Sequence, residues 1–226
     1  MAETKSLKDQ NVWLIRAAMI AHILAFAWVA LEPVKLVGTS PVELGTKLEG
    51  LLVPGSASLG LIVIASLLLL GLIPPEWRDR FIHLRWDHPL PGCRAFSEIG
   101  PRSSHVDMAA LIARIGTPPT DPAAQNQLFY RLYKPLRDDI GVCDAHRRYL
   151  AARDIGTISA LLVIPLPMMA LLATHDIART CAYAALILLS YILCALAAKN
   201  YSCRMVQHVL ALAAADHIAA PAAPTP

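Results

Sequence analysis

A chain of 226 residues that is 56% hydrophobic and 16% charged, with a mean hydropathy of +0.49, is more apolar than soluble domains, which hold roughly 45–50% apolar residues. Its net charge of +3 is too small for the dense basic face of a nucleic-acid binder, and five cysteines, an odd number, set up no disulfide framework. The expectation is an all-α integral membrane protein.

In chain order, residues 1–11 form a short N-terminus with Lys5 and Lys8. The apolar run 12–31 is too long for the core of a signal peptide and ends at Glu32-Pro33 without a cleavage site, so it is expected to be an uncleaved first span. Arg16 is near enough to its edge for the guanidinium to snorkel to the headgroups. His22 sits deeper. An ionisable residue inside a span either serves a proton or ion path or stays neutral, hydrogen-bonded to a neighbouring helix.

Residues 32–50, with Pro33, Gly38, Pro41 and Gly45, predict an external turn-rich loop. Leu51–Ile73 then runs for about 23 residues without a charge, where a bilayer core about 30 Å thick needs about 20, and is the second span. Gly60 and Ser66 are its candidate points of close helix contact. Pro74-Pro75 stops it.

Residues 74–154 are the stretch that can fold in water, a small helical cytoplasmic module. Pro75 to about Trp86 has Trp77, Phe81 and Leu84 at helical spacing and predicts an amphipathic helix along the inner leaflet. Residues 87–92 break it and lead into an extended stretch through Cys93, Arg94, Ala95 and Phe96. Ser104 with Asp107 reads as a capping box for a helix that Gly116 stops. Asp121-Pro122 opens another helix, which Pro135 ends near Tyr133. Asp138 and Asp139 cap a last one that continues without interruption into the third span. With about a dozen core residues the module is small for an independent fold, and a homo-oligomer is expected to complete it.

The third span, 155–173, carries Pro165 and Pro167, which predict a kink near Ile164, either a hinge or a static bend. A turn at 174–180 joins it to the fourth span, 181–198, closed by Lys199 and Arg204. Residues 199–226 continue as a helix and end in a disordered proline-rich tail. Arg78, Arg80 and Arg85 follow the second span and Arg147, Arg148 and Arg153 precede the third. The opposite loops hold only Lys35, Lys47 and Arg179, so both termini and the module are expected in the cytoplasm. The result is four spans in two antiparallel hairpins, the module inserted between helices 2 and 3.

Chemistry is thinly signalled. His83, His88 and Cys93, and later Cys143 with His146, lack the paired short spacings of a zinc site, so no metal is expected. No nucleophile elbow or glycine-rich phosphate loop is present, so no catalytic set and no cofactor are expected. Arg94, Arg102, Arg131, Lys134, Arg137, Arg147 and Arg148 make the module basic, as do Arg78, Arg80 and Arg85 at its edge. Anionic inner-leaflet lipid explains such charge, at about 1 kcal/mol per residue, and a small anionic ligand near Gln125 and Asn126 is the sharper alternative.

Two classes of function follow. One is a sensor, scaffold or pore-type effector, whose module responds to a small ligand or cytosolic protein and acts on the membrane. By layout alone this resembles small membrane effectors and sensors of bacterial defence systems, which implies a bacterial inner membrane. The other is a membrane-embedded enzyme or transporter at the inner leaflet, with Arg94, His88 or His146 as working groups.

Overall fold

The computed structural model describes residues 7–31, 40–67 and 72–215. Every regular element among them is helical: α1 Leu7–Leu31, α2 Pro41–Leu67, α3 Pro75–His83, α4 Met108–Ile115, α5 Pro122–Leu136, α6 Ile140–Leu162, α7 Pro165–Thr174 and α8 Ile177–Ala215. The chain divides into two compact units, Met1–Ile82 with Ala151–Leu196, and His83–Leu150 with Ala197–Pro226. The expected tail beyond Ala215, the loop residues 32–39 and the end of the second apolar run at 68–71 lie outside the described residues.

Two helices are long and apolar enough to cross a membrane, α1 over Gln10–Leu31 and α8. The pair α6 and α7 qualifies as a third if it is one span bent by 47°. The described apolar part of α2, Glu49–Ala65, is shorter than a crossing. At 39 residues α8 is about 58 Å long, nearly twice a bilayer core, so most of one half must serve another purpose.

The expected loop over 32–50 is corrected in its second half, where Pro41–Gly50 is helical. The cause is a capping box that the sequence displays at Ser40-Pro41-Val42-Glu43. Ser40 Oγ accepts from the Glu43 amide at 3.3 Å, Glu43 Oε2 accepts from the Ser40 amide at 3.2 Å, and Pro41 takes the first helical position. Pro54 and Gly55 are thereby inside the helix rather than in its first turn.

The interior of the first unit is filled by Ile15, Phe26, Ile62, Ala65, Ile158, Leu162, Leu166, Ala170, Tyr183 and Ile187. Between α6 and α7 the chain breaks at Val163-Ile164, where Pro165 can donate no amide, and Pro167 is buried while Ile164 is exposed. A left-handed His175 (φ 51°) closes α7, and the turn to α8 is only two residues long, His175-Asp176. At Gly60 an added Cβ would meet nothing within 4 Å among the described residues. Gly156 is a packing point: its added Cβ would lie 2.6 Å from Ile82 Cδ1 and 3.0 Å from Cys194 Cβ.

In the second unit Asp107, and not Ser104, caps α4, accepting from the Ala110 amide at 2.9 Å, and Gly116 ends it at φ 80°. Asp121 caps α5 by accepting from the Ala124 amide at 2.8 Å. Pro135 does not end α5, which runs to Leu136, because a proline in the last turn forfeits a single intrahelical bond. Asp139 Oδ1 accepts from the amides of Gly141 and Val142 and starts α6. α3 stops at His83 rather than near Trp86, where Leu84 turns left-handed (φ 50°).

The extended stretch expected at 93–96 is also corrected: Pro91–Arg94 is a 3-10 turn and Ala95–Ile99 a π turn. Gln125 holds it there. This 1% exposed side chain accepts through Oε1 from the amides of Phe96 (3.2 Å) and Ser97 (3.3 Å), and donates through Nε2 to the Thr120 carbonyl (3.2 Å). Gln125→Leu therefore leaves two amides and a carbonyl without this partner. A loss of about 1–3 kcal/mol is expected, read as faster amide exchange at 95–99.

The core of this unit is completed from the far end of the chain. Met205, Val206, Val209, Leu210, Ala213 and Ala214 of α8 make up six of its fourteen buried members, beside Phe96, Leu111, Phe129 and Val142. Arg114 Nη1 donates to the Ala213 carbonyl at 2.6 Å. α8 thus adds to the core residues that 74–154 supplies.

Candidate functional site

Two groups of polar side chains lie in the interior of the first unit, beside the separately buried Asn11, Ser58 and Thr157. At one end, α3 and α6 bring together Arg78, Asp79, Arg153 and Asp154. Asp154 Oδ1 accepts from Arg78 Nη1 at 3.3 Å and from Arg153 Nε at 3.0 Å, and Arg153 Nη1 lies 3.6 Å from Asp79 Oδ1. Arg78 also donates through Nε and Nη2 to the Ile73 carbonyl at 3.1 and 3.0 Å. All four side chains are 7% exposed or less. Two cations and two anions sum to zero, which is what permits the burial, since an unmatched ion would keep its desolvation cost of several kcal/mol.

About five residues further along α6, roughly 7.5 Å, lies the second group. His22 Nε2 of α1 is 3.3 Å from Ser159 Oγ, which is 3.4 Å from Ser190 Oγ of α8. His22 is 7% exposed and Ser159 is fully buried. Beside them is a cavity of about 220 Å³, lined by Ala18, Ala21, His22 and Ala25 of α1, Ile155 of α6, and Tyr183, Leu186, Ile187 and Ser190 of α8. Three alanines at helical spacing create the space. The Tyr183 side chain is 1% exposed, and its hydroxyl has no hydrogen-bond partner among the described residues.

His22 thus meets a neighbouring helix, as one of its two expected roles requires, and also borders a cavity. Arg16 lies exposed on α1, and Pro165 and Pro167 stand at the bend. The arginines assigned to lipid or anions fall apart into different settings. Arg78 is corrected outright: it is buried against Asp154 and cannot meet a headgroup. Arg80 pairs with Glu76 at 2.8 Å and lies 4.7 Å over the Trp77 ring, and Arg94 pairs with Glu98 at 3.3 Å. Arg147 and Arg148 both bind Asp144, at 2.9 and 2.7 Å, and those bonds, Arg148's first, hold the Asp144 carboxyl below its usual range. Arg85, Arg102 and Arg131 are exposed. Five of these eight arginines thus have a carboxylate beside them, Arg147 and Arg148 sharing one.

Elsewhere in the second unit a row of rings runs through Tyr130, Tyr133, His146, Tyr149 and His83 at centroid distances of 5.5–6.4 Å. Tyr133 Oη and His146 Nδ1 are 2.8 Å apart, and burial raises the Tyr133 phenol above its ordinary value. His88 is exposed at φ 49°, Cys93 is buried and Cys143 half-buried. Among the described residues no three His, Cys, Asp or Glu groups converge as a metal site.

No family model, curated protein or solved structure matches this chain. Function rests on the geometry alone.

Sequence reasoning passed over Asp79, Asp154, Ser159, Tyr183 and Ser190. Their signal was available: Ser159 and Ser190 are polar residues within apolar runs, and Asp79 and Asp154 are acids in the cation-rich stretches next to such runs. A hydroxyl in a span is easily set aside because it can bond its own helix, and only the fold shows which ones bridge helices.

Proposed function

We propose that this chain is a membrane-embedded, signal-responsive protein with four crossings in two hairpins, its second unit in the cytoplasm and its first in the bilayer. The second unit takes up a small ligand or a cytosolic protein, and the first changes the permeability of the membrane in response. The observation that supports this reading is the sharing of helices: α6 and α8 each supply buried residues to both cores. Val142 and Ala145 of α6 belong to one core and Ile158 and Leu162 to the other. A change of packing in the second unit therefore acts on helices whose continuation includes the bend at Ile164 and the buried polar groups.

The described conformation is the resting one in this account, because large apolar side chains fill the interior of the first unit. Opening requires α7 to swing about Pro165 or the helices to part along the His22–Ser159–Ser190 line. A bacterial inner membrane, and a role as an effector or docking platform in defence, remain part of the proposal, supported by layout only. The exposed Arg85 and Arg131 suit contact with anionic inner-leaflet lipid.

The test is induced expression in bacterial cells with a potential-sensitive dye. Full-length protein is expected to leave the potential intact, whereas Leu210→Asp, which places a carboxylate in the core of the second unit, is expected to dissipate it. An intact potential with that variant, at equal membrane abundance, removes the permeability reading.

A further inference from the structure

We infer that the cavity beside His22 is a binding site for a membrane-dissolved molecule whose head is a single neutral, oxygen-bearing six-membered ring, of the phenol or quinone class. The volume sets the size. A dry cavity of about 150 Å³ accommodates benzene, so about 220 Å³ accommodates one substituted ring. The lining sets the polarity: Ala18, Ala21, Ala25, Ile155, Leu186 and Ile187 are apolar, and His22, Tyr183 and Ser190 carry the polar atoms. Such a surround, mainly apolar with a few placed polar groups, is that of a small-molecule site.

No side chain lining the cavity carries a formal charge when His22 is neutral, so an ionic head would be desolvated without compensation. With Nε2 engaged by Ser159, the other ring nitrogen of His22, Nδ1, is left to donate to a carbonyl or accept from a hydroxyl. Ser190 Oγ offers a second contact. Access is sideways: Ala21 and Leu186 are exposed, and so are Leu189 and Leu193 further along α8. An apolar rim of this kind faces acyl chains, which selects a ligand that reaches the site from the bilayer. This site rests on the reading above only in placing the first unit in the bilayer, and its failure would leave the signal-responsive reading in place.

The experiment uses the full chain in nanodiscs with a radiolabelled benzoquinone bearing a decyl tail. Saturable retention of one probe per chain is expected above the linear partition into protein-free discs. His22→Ala is expected to weaken binding on the order of tenfold, the worth of one buried hydrogen bond. Ala21→Leu fills the cavity from its exposed rim, where the fold tolerates added volume, and is expected to abolish saturable binding with every polar group retained. Partition at the protein-free level, or wild-type affinity in the Ala21→Leu chain, overturns the proposal. If His22→Ala fails to fold, Ala21→Leu alone decides.

Discussion

Asp154→Ala is expected to destabilise the first unit by about 3–5 kcal/mol, among the largest effects of any single substitution in this chain. Asp154 Oδ1 receives both Arg78 and Arg153, so its removal leaves two guanidinium groups, each buried, with Asp79 as the nearest named anion at 3.6 Å from one of them. The penalty is the desolvation of the stranded cations and not the net worth of the pairs, which can be near zero. Asp154→Asn keeps an acceptor oxygen and is expected to cost less, while still leaving the group one negative charge short. Titration with a denaturing detergent, followed by amide exchange at Thr157 and Ile158, measures both. A shift under about 1 kcal/mol for Asp154→Ala would mean that water reaches these arginines.

Leu210→Ala is expected to cost about 2–5 kcal/mol in the second unit, the range for emptying a leucine-sized volume in a packed core. Leu210 is 0% exposed and joins the buried core beside Phe96, Leu111 and Phe129, with Val206 and Val209 from the same helix. A chain ending at Asn200 lacks all six α8 members of that core, and is expected to leave residues 83–150 open to proteolysis while α1 and the first half of α8 stay protected in the bilayer. Equal protease resistance of the full and shortened chains would show that the second unit stands without α8.

Local physics explains what was legible. The kink followed from Pro165 because a missing amide and a ring clash act within one turn, and the caps at Asp121 and Asp139 followed because a side-chain oxygen reaches its own helix start. The membrane character of α1 and α8 followed from unbroken apolar length. Local rules misplaced the start of α2, where Pro41, Gly45 and Pro54 outweighed the capping box at Ser40 and Glu43. They also misread the turns at 91–99, because what holds that segment is Gln125, 28 residues away from Ser97.

The candidate sites were less legible for a related reason. Arg78 and Arg153 look like headgroup arginines when cations alone are counted, and Asp79 and Asp154 become their partners only when α3 lies against α6. His22 was conspicuous as a lone ionisable residue in an apolar run. Its partners were not, since Ser159 and Ser190 are far from it in the chain and carry no charge. The core of the second unit was underestimated because Met205 to Ala214 read only as a helix running on past the fourth span, and composition does not show which core such a helix joins.

The central claim is that the second unit restrains the membrane part through α6 and α8. Cation flux across liposomes containing either the full chain or the chain ending at Asn200 tests it directly. The full chain is expected to hold the gradient and the shortened chain to release it at equal protein density. A shortened chain that remains inserted yet holds the gradient as well as the full one would contradict the account.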